Sequence, residues 1–311
     1  MRRFAVLVLL AMISGFGVPV AFADEGLESY LREAATAEFH GREVVVSSWG
    51  RDAAADTYAV DQTAGMSRIH SGGAETILSG GRVVMRRGQQ WYGLQVTEWS
   101  QSPLDERYAM DPPLPARRLG REAVMVRVLE NGRPRARIVF DVETSAPLLV
   151  EVLDGDGDLF RMAAMVEFTP GRPDMPPSMP TMDHAYMVVP GTDAGHLSDA
   201  LAGYRRADTY VGPDATIHAF YTDGLFAFSV FEARRGQMPE IFDTAREFES
   251  GGHGYRRIVN PSEVWVLWNA PDRSYILVGD LPPDHIEAAL AELPRPGNRN
   301  PLVRLWRTLF G

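Results

Sequence analysis

The sequence predicts an α+β protein of two domains, and three observations predict it. Short β-branched runs separated by turn residues fill most of positions 42–168 and recur from 218 to 278. Helical patterns flank them near residues 27–35 and 283–293. A proline-rich stretch at 170–180 divides the chain. With 311 residues, 45% of them apolar, there is ample material for a buried core.

The elements follow in order. Met1-Arg2-Arg3, an apolar run from Phe4 to Val20 and Ala21-Phe22-Ala23 have the charged, apolar, small-residue order of a secretory signal, with cleavage expected after Ala23. Leu27, Tyr30, Leu31, Ala34 and Ala35 recur at helical spacing, and Gly41 is expected to stop that helix. Strands are expected over 42–49, 56–61, 67–70, 75–78, 82–87, 90–96, 123–129, 136–142, 148–153 and 159–168. Asn131-Gly132 and Asp154-Gly155-Asp156-Gly157-Asp158 read as hairpin turns within this antiparallel meander.

Five prolines between Pro170 and Pro180 fix φ and withhold backbone donors, which makes a semi-rigid linker. The first domain therefore spans 24–169 and the second 181–294. In the second, strands at 218–221 and 225–232 flank the Asp223-Gly224 turn, and 264–268 pairs with 274–278. Pro282-Pro283 then opens a helix running to about Leu293. Residues 295–311 form a basic tail in which Leu302, Leu305, Trp306, Leu309 and Phe310 fall at helical spacing. Such a segment suits an anionic membrane, a partner or the protein's own core.

Composition excludes several chemistries. Cysteine is absent, which removes thiol catalysis, disulfides and Cys-based zinc sites. Lysine is absent too, which removes Schiff-base chemistry and P-loop phosphate binding. The net charge of -10 argues against nucleic acid as a partner. The Asp154–Asp158 run lacks the Gly and Glu of a calcium loop, the seven histidines form no ligand pair, and no Gly-x-Ser-x-Gly elbow occurs. No enzyme, metal or cofactor is expected.

One charge cluster stands out. Seven arginines and two glutamates lie between Arg117 and Arg137, and strict strand alternation would put Arg133, Arg135 and Arg137 on one face. Their forked guanidinium groups suit phosphate or carboxylate, and the same pattern also describes a solvated sheet face.

Several stretches resemble the MucB/RseB family. Tyr221–Glu232 (YTDGLFAFSVFE) is similar to its "SDGL…SVFVE" signature, and Tyr275–Pro283 (YILVGDLPP) to its "VVGEVP" strand. Phe39-His40-Gly41, Gly120-Arg121-Glu122 and Leu148–Gly157 match its N-terminal landmarks in the same order, so the resemblance covers nearly all of the chain after the signal. Phe226 and Phe228 depart from it at positions that are often smaller.

The resemblance implies a fold and a role. The first domain would be a curved antiparallel half-barrel like that of Lol-type lipoprotein carriers, open to acyl chains. The whole would be a periplasmic, non-lipidated negative regulator of the envelope-stress sigma factor. It would bind the periplasmic segment of a single-pass membrane anti-sigma factor, shield it from proteolysis, and release it in response to lipid or lipopolysaccharide. Tyr221, Asp223, Gly224, Leu225 and Phe231 are then the residues expected at the partner. Trp91, Tyr92, Leu94, Val96 and Trp99 fit a hydrocarbon-binding surface and equally fit plain packing. Arg133, Arg135 and Arg137 would meet lipid phosphates or partner acids. The alternative is a periplasmic lipid or lipoprotein carrier, and self-association into a homo-oligomer is compatible with either.

Overall fold

The computed structural model describes residues 26–72, 74–79, 82–87, 90–95, 104–175, 184–188, 197–211, 216–235 and 245–297. The expected signal peptide, residues 176–180 of the linker, Val96, Trp99 and the tail beyond residue 297 lie outside them.

Helix α1 (Leu27–Ala34) is amphipathic as the spacing requires and buries Leu27, Tyr30, Leu31 and Ala34. It ends well before Gly41, which the sequence reading had made its stop. Strand β1 (Phe39–Trp49) has already begun there. Gly41 instead serves close backbone approach. The adjoining strand β12 (Leu159–Pro170) shifts register between Met165 and Glu167, and a Cβ on Gly41 would overlap the Glu167 carbonyl oxygen.

The first sheet continues through β2 (Asp52–Thr63), β3 (Met66–Ser71), β4 (Ala74–Ser79), β5 (Arg82–Arg87) and β6 (Gln90–Gln95). Then come β7 (Tyr108–Met110), β8 (Leu114–Arg118), β9 (Arg121–Glu130), β10 (Arg133–Asp141) and β11 (Pro147–Leu153). In space the order is β7 and β8 end to end along one edge of β9, then β10, β11, β12, β1, β2, β3, β4, β5 and β6, each pair antiparallel. All ten strands expected here are present. Strands β7 and β8 were not foreseen, since Leu114-Pro-Ala-Arg-Arg118 carries proline and no apolar alternation.

Strand β13 (His184–Val188) joins the domains. It pairs parallel to β6 and antiparallel to β15 (Tyr204–Val211), so the linker leads into a strand shared by both sheets. The second sheet holds β14 (Ala200–Leu201), β15, β16 (Ile217–Thr222), β17 (Ala227–Arg234), β18 (Arg246–Ser250), β19 (His253–Val259), β20 (Val264–Asn269) and β21 (Arg273–Gly279). Its order is β14, β15, β16, β17, β21, β20, β19, β18. Strand β8 at one end of the combined ladder and β18 at the other each have one partner among the described residues, so the ladder stays open. Helix α2 (Pro283–Glu292) starts at proline, as expected, and buries Ile286, Ala289 and Leu290.

The turns behave as their chemistry demands. Asn131 and Gly132 take φ of 48° and 79° in a tight hairpin. The Asp154 carboxylate is used by its own turn, accepting the N–H groups of Asp156 and Asp158 at 3.0 and 2.9 Å.

The core runs through both domains. One apolar cluster joins α1, Val126, Val128, Ile138 and Phe140 of the first sheet to Tyr204, Phe228, Ile286 and Leu290 of the second domain. Another joins Phe39, Val45, Val60 and Ile69 to Tyr210, Phe220 and Ala227. Among the described residues, α1 and the second domain thus both pack on the first sheet.

Candidate functional site at the seam between the domains

One end of the second sheet makes the contact. The turns 223–226 and 260–263 and the segment 280–285 project together from it, and each meets a polar side chain of the first domain.

At one side, Arg107 pairs with the buried Asp223, whose carboxylate also accepts from the Tyr108 hydroxyl at 2.7 Å and from the Leu225 and Phe226 N–H groups. The Arg107 guanidinium lies over the rings of Tyr108 and Tyr204, about 5 Å from each centroid. Next to it, Arg135 donates to Glu130 at 2.6 Å, to the Leu153 carbonyl at 2.8 Å and, with both arms, to Asp284 at 2.7 and 3.1 Å. His285 joins Glu130 at 2.9 Å and the Tyr204 hydroxyl at 2.6 Å. Burial alone would raise the Glu130 carboxyl, but His285, Arg135 and Arg107 outweigh it and hold the group down at about 2.

The middle of the seam is drier. Arg161 is buried, donating to Ser47 Oγ at 2.7 Å and to the Asp280 carbonyl at 2.9 Å, while Ser47 Oγ donates to the Pro261 carbonyl at 2.6 Å. Burial lowers the Arg161 guanidinium to about 10 and raises the Asp280 carboxyl to about 7. At the far side, Arg257 grips Asp52 and the Trp49 carbonyl at 3.0 and 2.9 Å and stacks 4.2 Å from the Trp49 ring.

The arginine trio does not share a face. A bulge in β10 shifts register between Val128 and Leu129 of β9, so Ala136 faces Val128 and Pro134 faces Leu129, with Arg135 as the extra residue. Arg135 turns inward, while Arg133 is exposed and Arg137 pairs across the strand with Glu151 at 2.8 Å. Strict alternation failed for want of that bulge, and Arg135 is committed to Asp284 and Glu130 in place of an outside anion.

Two of the five expected partner residues are buried here. Tyr221 stacks on Phe228 and donates to the Ser198 carbonyl at 2.7 Å, and Asp223 belongs to the seam. Gly224, Leu225 and Phe231 are half-buried, and Phe231 stacks on His218 at 4.3 Å. Phe226 and Phe228, the departures from the family pattern, fill the core beside Tyr108 and Tyr204. Trp91, Tyr92 and Leu94 lie in β6, where the ladder pairs them with Arg86, Met85 and Val83 of β5. Tyr92 and Leu94 also face His184 and Tyr186 of β13. Val96 and Trp99 are outside the described residues.

Two clefts on the described surface, of about 360 and 510 Å³, are open and bear Arg172 and Asp174, and Arg42, His70 and Arg86, respectively. No described helix is long and apolar enough to cross a membrane, and no group of three potential metal ligands occurs among the described residues.

Arg107, Glu130, Arg161, Asp280 and Asp284 escaped the sequence reading. Arg161 and Asp280 carried a usable signal: each is a charge placed in or just after an otherwise apolar strand, where only a buried partner can sustain it.

Fold and seam together define a two-domain α+β scaffold, an open half-barrel sheet with a smaller sheet docked against it. No family model and no curated protein matches the chain. Among solved structures it is similar to MucB (TM-score 0.47, 17% identity, 84% of this chain and 93% of that one). It is also similar to MucB in complex with MucA(peri) (TM-score 0.43, 17% identity, 85% and 95%). The MucA/MucB complex of Pseudomonas aeruginosa gives a TM-score of 0.44 at 18% identity, over 85% and 95% of the two chains. These are likenesses of overall fold.

Proposed function

We propose that this chain is a periplasmic, non-catalytic regulator of the MucB/RseB type. It holds the periplasmic segment of a single-pass membrane anti-sigma factor, shields that segment from proteolysis, and releases it when lipid or lipopolysaccharide binds. The observation that carries this reading is where the family-like stretches fall. Tyr221–Glu232 and Tyr275–Pro283 contain most of the paired strands β17 and β21, with Phe228 facing Gly279 and Val230 facing Leu277. Their ends supply Asp223 and Asp280 to the seam. The residues that resemble the family are thus those that set the second domain against the first.

One arrangement among the described residues that pairs a histidine with a serine bears on the non-catalytic part. His218 Nε2 lies 2.7 Å from Ser229 Oγ, but both are buried and burial pushes His218 down to about 3. Its ring is stacked between Tyr210 and Phe231, so substrate has no approach.

The alternative is a periplasmic lipid or lipoprotein carrier, in which hydrocarbon and not an anti-sigma segment is the principal ligand. Co-purification separates the two. Capture of an anti-sigma periplasmic segment, weakened by added lipopolysaccharide, is the expected result; stoichiometric bound lipoprotein with no such capture would overturn the regulatory reading in favour of the carrier.

A further inference from the structure

The centre of the seam gathers more acid than base. Glu263 in the β19–β20 turn and Asp280 after β21 are buried beside Arg161, on which the charges of both act, and Glu43 is buried further along β1. Glu43 reaches this group through its cross-strand neighbour Tyr58, which is hydrogen-bonded to Ser262 and feels both Glu43 and Glu263. One Glu43 oxygen, Oε2, has no hydrogen-bond partner. Asp280 accepts the Ala227 N–H at 2.8 Å, and Asp223 and Tyr204 add further negative or polar groups from the second domain. On the first-domain side, Asp56 faces Tyr58. The Glu43, Glu263 and Asp280 carboxyl groups lie buried at the seam, where taking up a proton costs less than burying the charge.

We propose that the seam is a proton-linked latch, in which docking of the second domain on the first takes up protons at the buried carboxyl groups of Asp280, beside Arg161, and Glu43, beside Tyr58. The closed arrangement is then held most firmly in acid and loosens as the medium turns alkaline. This device concerns the two domains alone and stands whether or not the anti-sigma reading holds.

The sign follows from burial, which raises the Glu43 carboxyl to about 8 and the Asp280 carboxyl to about 7. Below the ordinary carboxylate range both arrangements carry the protons and closure is insensitive to pH. As pH climbs from there through about 7 to 8, the open arrangement is ionised and the closed one resists ionisation, so closure weakens.

The absence of cysteine allows site-specific labels. Ala55→Cys on β2 and Ala288→Cys on α2, both exposed, place one member of a fluorescence energy-transfer pair on each domain of the full chain. Titrated from about pH 5 to 9 at constant ionic strength, transfer should change through about pH 7 to 8 in the labelled wild-type background, and Glu43→Gln with Asp280→Asn should remove that change. Folding is checked by circular dichroism. If the double variant does not fold, Glu43→Gln alone carries the test, since glutamine copies the shape of the protonated acid, and it should shrink the transition. A flat wild-type profile, or an unaltered transition in the folded variant, overturns the latch.

Discussion

Arg135 crosses from the first sheet to hold Asp284 of the second domain with both arms of its guanidinium, and the bulge that turns it inward separates it from Arg133 and Arg137. Three arginines at alternate positions thus have three different settings: one exposed on the surface, one clasping the seam, one in a half-exposed cross-strand pair.

Arg135→Ala should therefore cost about 3 kcal/mol, because it leaves the buried Leu153 carbonyl without its donor and takes from Glu130 one of the cations that hold it. Arg133→Ser should change stability by less than about 0.5 kcal/mol. Arg137→Ser, whose pair with Glu151 is half exposed, should cost no more than about 1 kcal/mol. Urea unfolding reads all three, and equal losses would contradict the assignment.

The bulge at Met165–Glu167 demands glycine opposite it. Gly41→Ala should cost at least about 1–3 kcal/mol, since the new methyl group meets backbone and has nowhere to move. Gly254→Ala, on β19 with open space around it, should be neutral or slightly stabilising. Melting temperatures of the two variants check the contrast.

Two hairpins of one geometry differ in one residue. Leu119-Gly120 takes φ of 51° and 76°, much as Asn131-Gly132 does, and a leucine there pays for a left-handed backbone that asparagine accepts readily. Leu119 is exposed, so no core contact compensates. Leu119→Asn should stabilise the chain by about 1 kcal/mol, and a loss on chemical denaturation would show that the leucine makes a contact it needs.

Acid should act on the rim of the seam in the opposite sense to its centre. Glu130 is held down at about 2, and Asp141 is also lowered, the pull of Arg121 and Thr144 outweighing burial. A carboxylate lowered on folding stabilises above its ordinary range, and that contribution is lost as pH falls from about 4.5 toward 2. Glu130→Gln should make this acid limb shallower in denaturation series between those values.

Much of the fold was legible from residue patterning. Val44–Val46, Val124–Val128 and Leu148–Val152 announce strands because alternating or continuous apolar residues have no other stable arrangement, and Asn131-Gly132 announces its turn through φ. What patterning missed was set by distant neighbours. Strands β8, β15 and β18 are polar segments held by pairing to a partner strand, and β13 is a short run that acquires its role only when two sheets offer it edges. The inward turn of Arg135 depends on a one-residue bulge, and the burial of Tyr221 and Asp223 on a domain docking that local sequence does not encode.

The proposed role in regulation meets its most direct test in calorimetric titration of residues 24–311 with the periplasmic segment of an anti-sigma factor from the same cell. The account predicts saturable binding at micromolar concentration or below that weakens when lipopolysaccharide is added. Absence of binding by the folded protein would contradict it.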